Sequence, residues 1–221
     1  MRWSYLGRVE YRRALDLQRL IRDGVRRGRV PETLMLLEHP AVITLGRSSS
    51  AQANVLVSEV ERRRRGVDLV RVGRGGDVTY HGPGQLVGYP IRAVGRRVRH
   101  HVEGMARAIS AVLDQLGIDS WWTDDRPGVW TARGKIAAVG VDARGGVTMH
   151  GFALNVCPRL QDFAMIVPCG LQAPVTSVSD LLGAGAFGLP MMARRMAQAL
   201  AGQYCTEEQE VDPDTLTGGA A

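Results

Sequence analysis

The sequence predicts a fold of the α/β (α+β) class, in which a mixed or antiparallel β-sheet core is flanked by helices. Three observations lead to this prediction. Short apolar runs bounded by glycine and proline are typical of strands, and longer stretches repeat apolar residues at helical spacing. The two kinds of segment follow one another without an internal repeat, which indicates one layered domain. A chain of 221 residues with 45% hydrophobic content is long enough to bury such a core.

The first half of the chain begins with a helix and continues mainly in strands. Residues 10–28 place leucine, isoleucine and valine on one face and arginine on the other, so they predict an amphipathic helix. Strands are predicted at residues 33–37, 42–45, 67–72 and 85–94. A mobile loop is predicted at residues 47–66, which combine three consecutive serines with the arginine run Arg62 to Arg65.

The second half contains the clearest helix and a predicted hairpin. Residues 98–117 repeat apolar side chains at helical spacing and stop at Gly117. Further predicted elements are two strands at 121–122 and 129–130 with a turn between them, a β-hairpin formed by 135–141 and 147–156, and a helix at 190–204. We expect residues 1–205 to form a single domain, followed by an acidic, disordered tail at 206–221.

The charge balance predicts an acidic partner. The whole chain has a net charge of +6 and a pI near 9.8. Residues 1–205 alone hold 28 basic and 17 acidic residues, a net charge of +11. A domain with this much positive charge is expected to bind nucleic acid, an anionic membrane surface or an acidic protein. The N-terminus has no secretory pattern, and three cysteines give no disulfide framework. We therefore expect a cytoplasmic protein.

One basic residue differs from all the others. Twenty-seven of the basic residues are arginine, and Lys135 is the single lysine. Arginine supplies positive charge equally well, but it does not lose its proton at neutral pH. Lys135 is either an accident of composition or a site that requires an amine whose protonation can change.

The glycine-rich segment at residues 73–85 is the strongest candidate for a binding site. Closely spaced glycines let backbone N–H groups approach a ligand, and Thr79, Tyr80 and His81 add polar groups at the rim. The segment lacks the Gly-Lys-Ser/Thr of a Walker loop, and its spacing does not match a dinucleotide fingerprint. A tight turn between two strands is the structural alternative.

Two further segments place reactive side chains in unusual surroundings. Gly134-Lys135 opens an apolar strand of small residues, where an amine partly removed from water can act as an acid or base. Pro168-Cys169-Gly170 places a thiol on a short turn, which suits a nucleophile. Cys157 and Cys205 fit the role of small buried hydrophobic residues better.

The histidines give weaker indications. His100 and His101 open a helix and are predicted to lie on the surface. His39 precedes a proline and is predicted to be structural. His150 stands beside Gly151 at a strand that could line a site. No Cys/His spacing matches a zinc site, so no metal is expected.

Taken together, these segments resemble the lipoyl(octanoyl) transferase family. The resemblance rests on Arg74-Gly75-Gly76 with Thr79, His81, Gly82, Gly84 and Gln85, together with 36–40, 134–140, 150–155 and 168–170 in the same order. It extends from about Leu6 to Leu182. It implies a fold similar to the catalytic domains of biotin and lipoate protein ligases.

The resemblance also implies an activity, partners and site residues. The activity is transfer of an octanoyl group from acyl carrier protein to a lysine of lipoyl domains, in 2-oxoacid dehydrogenases and the glycine cleavage H protein. Cys169 would hold the acyl group as a thioester, and Lys135 would be its catalytic partner. Neither ATP nor a metal would be needed, and the protein would act as a monomer. The implied substrate-binding residues are Arg74, Gly75, Gly76, Asp77, Val78, Thr79, Tyr80, His81, Ala138, Val139, Gly140, His150, Gly151, Phe152 and Ala153.

Three other functions remain open at this point. An ATP-dependent lipoate or biotin protein ligase would share the fold but would form an adenylate and no acyl-cysteine. A nucleic-acid-binding protein would explain the high pI and Arg62 to Arg65, although no aromatic platform accompanies these arginines. A hydrolase would use Cys169 with His81 or His150 as the base.

Overall fold

Two β-sheets and five α-helices make up the part of the chain that this computed structural model describes, residues 1–123, 127–167, 174–183, 185 and 187–217. The strands are β1 (Arg2–Arg8), β2 (Thr33–Glu38), β3 (Val42–Leu45), β4 (Asp68–Arg71), β5 (Val78–His81), β6 (Gln85–Ile91), β7 (Trp121–Trp122), β8 (Val129–Thr131), β9 (Gly134–Asp142), β10 (Met149–Asn155) and β11 (Gln209–Glu210). The helices are α1 (Tyr11–Arg26), α2 (Glu59–Arg64), α3 (Val98–Asp114), α4 (Val178–Leu182) and α5 (Leu189–Gln203). The predicted fold class and the three predicted long helices, α1, α3 and α5, are confirmed.

The larger sheet is mixed and has the strand order β11-β1-β2-β6-β10-β9-β8-β7. Strand β1 runs parallel to β2 and β11, whereas the pairs from β2 to β7 are antiparallel. The predicted hairpin is confirmed as β9 and β10, with Gly140 opposite Gly151. The turn predicted between β7 and β8 includes residues 124–126, which lie outside the described residues.

Helices cover both faces of the larger sheet. Leu34 and Leu36 of β2 face a core shared with α3 and α5, while Met35 and Leu37 face a second core shared with α1. Successive side chains of a strand point to opposite faces, so a strand covered on both sides must be apolar throughout. None of the described helices combines the length and the apolar character that spanning a membrane requires.

The smaller sheet has the order β4-β3-β5 and stands against the segment that precedes Cys169 in the sequence. Strand β3 is parallel to β4 and antiparallel to β5. Its core joins Ile43 and Tyr80 to Phe163 and Ile166. The Tyr80 and Phe163 rings meet edge to face with centroids 5.2 Å apart. This packing holds residues 163–166 in place beside β5.

Residues 47–66 differ from the predicted mobile loop because they contain helix α2. The side chain of Ser58 caps this helix by accepting a hydrogen bond from the Glu61 N–H at 3.2 Å. Ion pairs four residues apart then join Glu59 to Arg63 at 2.5 Å and Glu61 to Arg65 at 2.7 Å. The arginine run thus stabilises a short helix, a role that the prediction did not consider.

The predicted disordered tail is wrong for residues 206–217, which pack against the domain. Strand β11 pairs in parallel with β1, and Leu216 is 2% exposed. The guanidinium of Arg2 donates to the carbonyl oxygens of Thr215 and Leu216 at 3.2 and 3.0 Å. The acidic side chains also find partners, since Glu210 pairs with Arg194 at 2.7 Å. Local sequence showed no periodicity here because the contacts that order the tail are distant in sequence.

The predictions for two kinds of polar residue also need correction. His101 is 1% exposed and its ring stacks on Tyr204 with centroids 5.4 Å apart, so it is not a surface residue. Cys157 and Cys205 are both exposed rather than buried. His39, predicted to be structural, is fully buried and is bonded through both ring nitrogens.

We expect the His101→Phe variant to be more stable than the wild type at acidic pH. Burial, together with Arg92 and His100, lowers the pKa of His101 to about 4, and neither ring nitrogen has a hydrogen-bond partner among the described residues. The unfolded chain takes up a proton below about 6.5, whereas the folded chain does so only near 4, so folding stability falls between these values as the pH falls. Phenylalanine removes that loss, which amounts to about 2 kcal/mol at pH 5.

Urea unfolding at pH 5 and pH 7.5 measures this effect. The exposed His100 provides the comparison: its charge is the smallest of the three causes that lower the pKa of His101, so His100→Asn should keep most of the wild-type pH dependence. An unchanged pH dependence in His101→Phe would show that this histidine is not the group responsible.

Candidate active site

A cavity of about 300 Å³ lies between strands β9 and β10 and the glycine-rich segment. This volume is that of a small-molecule site. Fourteen of the predicted substrate-binding residues line it, namely Arg74, Gly75, Gly76, Asp77, Val78, Thr79, His81, Ala138, Val139, Gly140, His150, Gly151, Phe152 and Ala153. Tyr80 does not line the cavity, because its ring packs against Phe163 in the core of the smaller sheet. Its hydroxyl instead donates to Asp162 at 3.1 Å.

The glycine-rich segment approaches the sheet through its backbone. The Gly75 N–H donates to the Val141 carbonyl oxygen at 2.9 Å. A Cβ atom at Gly140 would lie 3.2 Å from the Gly75 carbonyl oxygen, which is tighter than an ordinary contact. The glycine at 140 therefore permits this close approach and forms part of the cavity wall.

Arg74 joins the glycine-rich segment to strand β3. It is 8% exposed, and its Nη2 donates to the carbonyl oxygen and to Oγ1 of Thr44 at 2.8 and 2.9 Å. Its Nη1 donates to the Gly75 carbonyl oxygen at 3.1 Å. A buried guanidinium needs such acceptors, and here they also fix the conformation of the cavity wall.

A group of histidine and tyrosine side chains lies at one side of the cavity. Tyr11, His81, Tyr89 and His150 line it directly. His39 stands behind them, with Nε2 2.7 Å from the Tyr89 hydroxyl and Nδ1 2.7 Å from the Val9 carbonyl oxygen. Tyr11 and Tyr89 belong to a helix and a strand that the sequence predicted, but nothing in those patterns indicated a site.

These histidines are uncharged at neutral pH. Burial lowers the pKa of His81 to about 3, with a smaller contribution from His39. Burial and the nearby Arg74 lower the pKa of His150 to about 4. A general base works best with a pKa near the working pH, so neither imidazole is suited to that role. A neutral imidazole, by contrast, can line an apolar pocket at a lower desolvation cost than a charged one.

His150 holds an uncommon backbone conformation. Its φ angle is 61°, in the left-handed region that glycine usually occupies. Its N–H donates to Oε1 of the fully buried Gln18 at 2.7 Å, which helps to hold this conformation. Strained residues of this kind are frequent at binding and catalytic sites.

Lys135 is 6% exposed and lies beside the main cavity. Its Nζ donates to the Pro127 carbonyl oxygen at 2.7 Å and lies 5.6 Å from the centroid of a Trp130 ring. A Cβ atom at position 128 would clash with Lys135 Cε, so Gly128 leaves the room that this side chain occupies. A small cavity of about 20 Å³ beside Lys135 shares Thr79, Ala138 and Ala153 with the main cavity.

Cys169 lies outside the described residues, so its predicted role remains a prediction. The chain on either side of it is well anchored. The Val167 N–H donates to the Asn54 carbonyl oxygen at 2.8 Å, and the Lys135 N–H donates to the Pro174 carbonyl oxygen at 2.9 Å. Pro174, where the described chain resumes, is thus bonded directly to the backbone of Lys135.

Three more cavity-lining residues were not predicted, because they lie in segments that the sequence predicted as a loop or a turn. Ser48 and Ser50 lie in the segment that was predicted to be a mobile loop, and Pro127 lies in a predicted turn. No group of three or more histidine, cysteine, aspartate or glutamate side chains among the described residues could hold a metal ion.

The buried lysine and the cavity lie on a mixed sheet flanked by helices, which is the fold of the lipoate and biotin protein ligase catalytic domains. Residues 10–201 match the Lipoyl protein ligase A/B catalytic domain, and the chain belongs to this family.

The relatives within the family are named octanoyltransferases. The protein from Myxococcus xanthus is 43% identical over 219 residues, which cover 94% of this chain and 60% of that protein. The protein from Alkaliphilus metalliredigens is 43% identical over 183 residues, which cover 80% of this chain and 84% of that protein. The chain thus spans less than two thirds of the Myxococcus relative but most of the Alkaliphilus one.

Solved structures share the fold at low sequence identity. A lipoate-protein ligase A bound with ATP superposes with a TM-score of 0.75 at 18% identity, covering 98% of this chain and 92% of that one. A biotin protein ligase from Aquifex aeolicus gives a TM-score of 0.53 at 10% identity, covering 93% and 69%. The predicted similarity to the biotin and lipoate protein ligase catalytic domains is confirmed.

Proposed function

We propose that this chain is an octanoyltransferase of lipoate biosynthesis, which moves an octanoyl group from acyl carrier protein to a specific lysine of lipoyl domains. The observation that carries this proposal is the burial of the only lysine, Lys135, beside the cavity lined by the glycine-rich segment. The names of the relatives support octanoyl as the group that is transferred, and the family supports a lipoyl domain as the acceptor. The acceptors are lipoyl domains of 2-oxoacid dehydrogenases and the glycine cleavage H protein.

The first step acylates Cys169. Its thiolate attacks the carbonyl carbon of the carrier thioester, the bond from that carbon to the phosphopantetheine sulfur breaks, and the departing thiolate takes a proton from Lys135. One thioester replaces another, so this step is close to isoenergetic and needs no nucleotide. A cation beside Cys169 favours the thiolate that attacks.

The second step forms the amide. The uncharged amine of the acceptor lysine attacks the acyl carbon, the bond to Cys169 sulfur breaks, and Lys135 accepts the proton that the amine loses. An arginine could not serve here because it does not give up its proton in the first step. The Pro127 carbonyl oxygen holds the Lys135 amine in one place through both transfers.

The cavity walls support a medium-length acyl chain as the ligand. Val78, Ala138, Val139, Phe152 and Ala153 supply apolar surface, and the glycines between them keep the space open. The uncharged state of His81 and His150 keeps this space free of imidazolium charge. This reaction requires neither ATP nor a metal. We further propose that the enzyme acts as a monomer in the cytoplasm.

Intact-mass measurement after incubation with octanoyl-acyl carrier protein tests the proposal. We expect one octanoyl group on Cys169 without ATP, followed by its loss when a lipoyl domain is added. A product that forms only from free octanoate and ATP would favour the ligase alternative, whose structures share this fold. Acyl-enzyme that water alone discharges would favour the hydrolase alternative.

We also expect the Michaelis constant for octanoyl-acyl carrier protein to rise with salt. The chain has a net charge of +6 and acyl carrier proteins are typically acidic, so salt screens their attraction. Steady-state kinetics should show a rise of about threefold or more between low and high salt. An uncharged small octanoyl thioester serves as the control, because its constant should not respond. A flat profile for the carrier protein would remove charge attraction from its recognition.

A further inference from the structure

The segment that follows β3 is fixed to the cavity wall through its backbone. The Gly46 N–H donates to the Asp77 carbonyl oxygen at 3.0 Å, and the Ser48 N–H donates to the Gly76 carbonyl oxygen at 3.1 Å. The segment from 46 to 54 therefore runs alongside the glycine-rich residues rather than moving freely.

Asp77 extends this attachment with a buried side-chain bond. The residue is 8% exposed, and its Oδ2 accepts a hydrogen bond from the Asn54 amide and, at 3.4 Å, one from the Ser50 hydroxyl. Its Oδ1 is buried without a hydrogen-bond partner among the described residues. A buried carboxylate needs compensation, so the amide of Asn54 is strongly held in this position.

Asn54 also holds the chain that leads to Cys169. Its carbonyl oxygen accepts from the Val167 N–H at 2.8 Å, and Val167 stands two residues before Cys169 in the sequence. The next two residues continue the contact, since Val55 bridges Ile166 and the Leu56 N–H donates to the Met165 carbonyl oxygen at 2.9 Å. One residue is thus bonded through its side chain to the cavity wall and through its backbone to the approach to Cys169.

We infer that Asn54 is a positioning residue, which holds residues 165–167, the approach to Cys169, in register with the wall of the acyl cavity. This inference rests on the proposed function, because only an enzyme that uses Cys169 as its nucleophile needs that register. Displacement of reacting groups by about 1 Å can cost on the order of 100-fold in rate. Loss of the Asn54 amide should therefore act on the rate of acylation and not on the binding of the donor.

Single-turnover acylation by octanoyl-acyl carrier protein tests the inference in a Cys157→Ser, Cys205→Ser background, where Cys169 is the only thiol. In Asn54→Ala we expect the maximal acylation rate to fall about tenfold or more, with the half-saturating donor concentration unchanged. Alkylation by iodoacetamide needs no bound acyl group, so its rate should stay at the wild-type value. Ser58→Ala is the control, because it removes the cap of α2 in the same segment and leaves Asp77 untouched.

Several outcomes would overturn the inference. They are an unchanged acylation rate, an increase in the half-saturating concentration alone, or an equal loss of alkylation and acylation. Asp77→Ala removes the same bond from its other end and stands in if Asn54→Ala does not fold; the two substitutions combined should cost no more than one. If the wild type itself forms no acyl-Cys169, the proposed function fails, and that result is distinct from normal acylation in Asn54→Ala.

Discussion

The Cys169→Ser variant should transfer no octanoyl group above background. A serine hydroxyl is a far weaker nucleophile than a thiolate, and the exchange would convert a thioester into an oxygen ester, which a lysine amine attacks slowly. Product formation on a lipoyl domain and the intact mass of the enzyme measure the two steps. We expect neither the acyl-enzyme nor the product.

The two exposed cysteines supply the controls for this variant. Cys157→Ala and Cys205→Ser should retain wild-type transfer, because both thiols lie at the surface and neither lines the cavity. Transfer at the wild-type rate by Cys169→Ser would contradict the covalent mechanism. Loss of activity in Cys157→Ala would indicate that the nucleophile is the Cys157 thiol and not the Cys169 thiol.

The Lys135→Arg variant should separate the two half-reactions. Arginine keeps a positive charge at this position, and the departing phosphopantetheine thiolate can take its proton from water instead, so acyl-enzyme should still form at an appreciable rate. It cannot accept the proton of the acceptor amine, so transfer to the lipoyl domain should fall by about 100-fold or more. Lys135→Ala should slow both steps, because the thiolate then loses its neighbouring cation. Single-turnover kinetics that follow acyl-enzyme and product separately provide the measurement.

Gly128 provides a control for geometry. A Cβ atom at this position would press on Lys135 Cε and on the Ala137 carbonyl oxygen, and the φ angle of 140° is strained for alanine, so Gly128→Ala displaces the amine and the backbone beside it while the amine itself remains. Equal slowing of both steps in Lys135→Arg, as in Gly128→Ala, would mean that Lys135 acts through its position. Wild-type turnover in Lys135→Arg would mean that the single lysine is an accident of composition.

Most of the regular elements could be predicted because their signals are local. The repeats in α1 and α3 follow from the 3.6-residue period, and the hairpin β9–β10 follows from two apolar runs around glycines. Helix α2 was missed because the run Arg62 to Arg65 suggested a solvated loop, although glutamates at matching spacing stabilise the helix. The tail was missed because β11 pairs with β1 from the other end of the chain, and such long-range pairing leaves no local periodicity.

Only part of the candidate site could be predicted, and the same difference between local and long-range signals explains which part. The composition of the glycine-rich segment predicted a binding site, and residues from three separate segments do meet at the cavity. Tyr11 and Tyr89 were not predicted, because in sequence they are ordinary aromatic members of a helix and a strand. Asn54 was not predicted either, because its significance comes from two hydrogen bonds to residues that are far away along the chain.

The burial of Lys135 bears on how an enzyme of this kind avoids modifying itself. An acyl thioester reacts with any accessible amine, so the surface lysines of a lysine acyltransferase are potential acceptors in competition with its true partner. Here every other basic side chain is a guanidinium, which is a poor nucleophile because it stays protonated. The one side-chain amine is 6% exposed and held by the Pro127 carbonyl oxygen. Within this chain, no exposed lysine competes with the lysine of the partner domain for the activated acyl group.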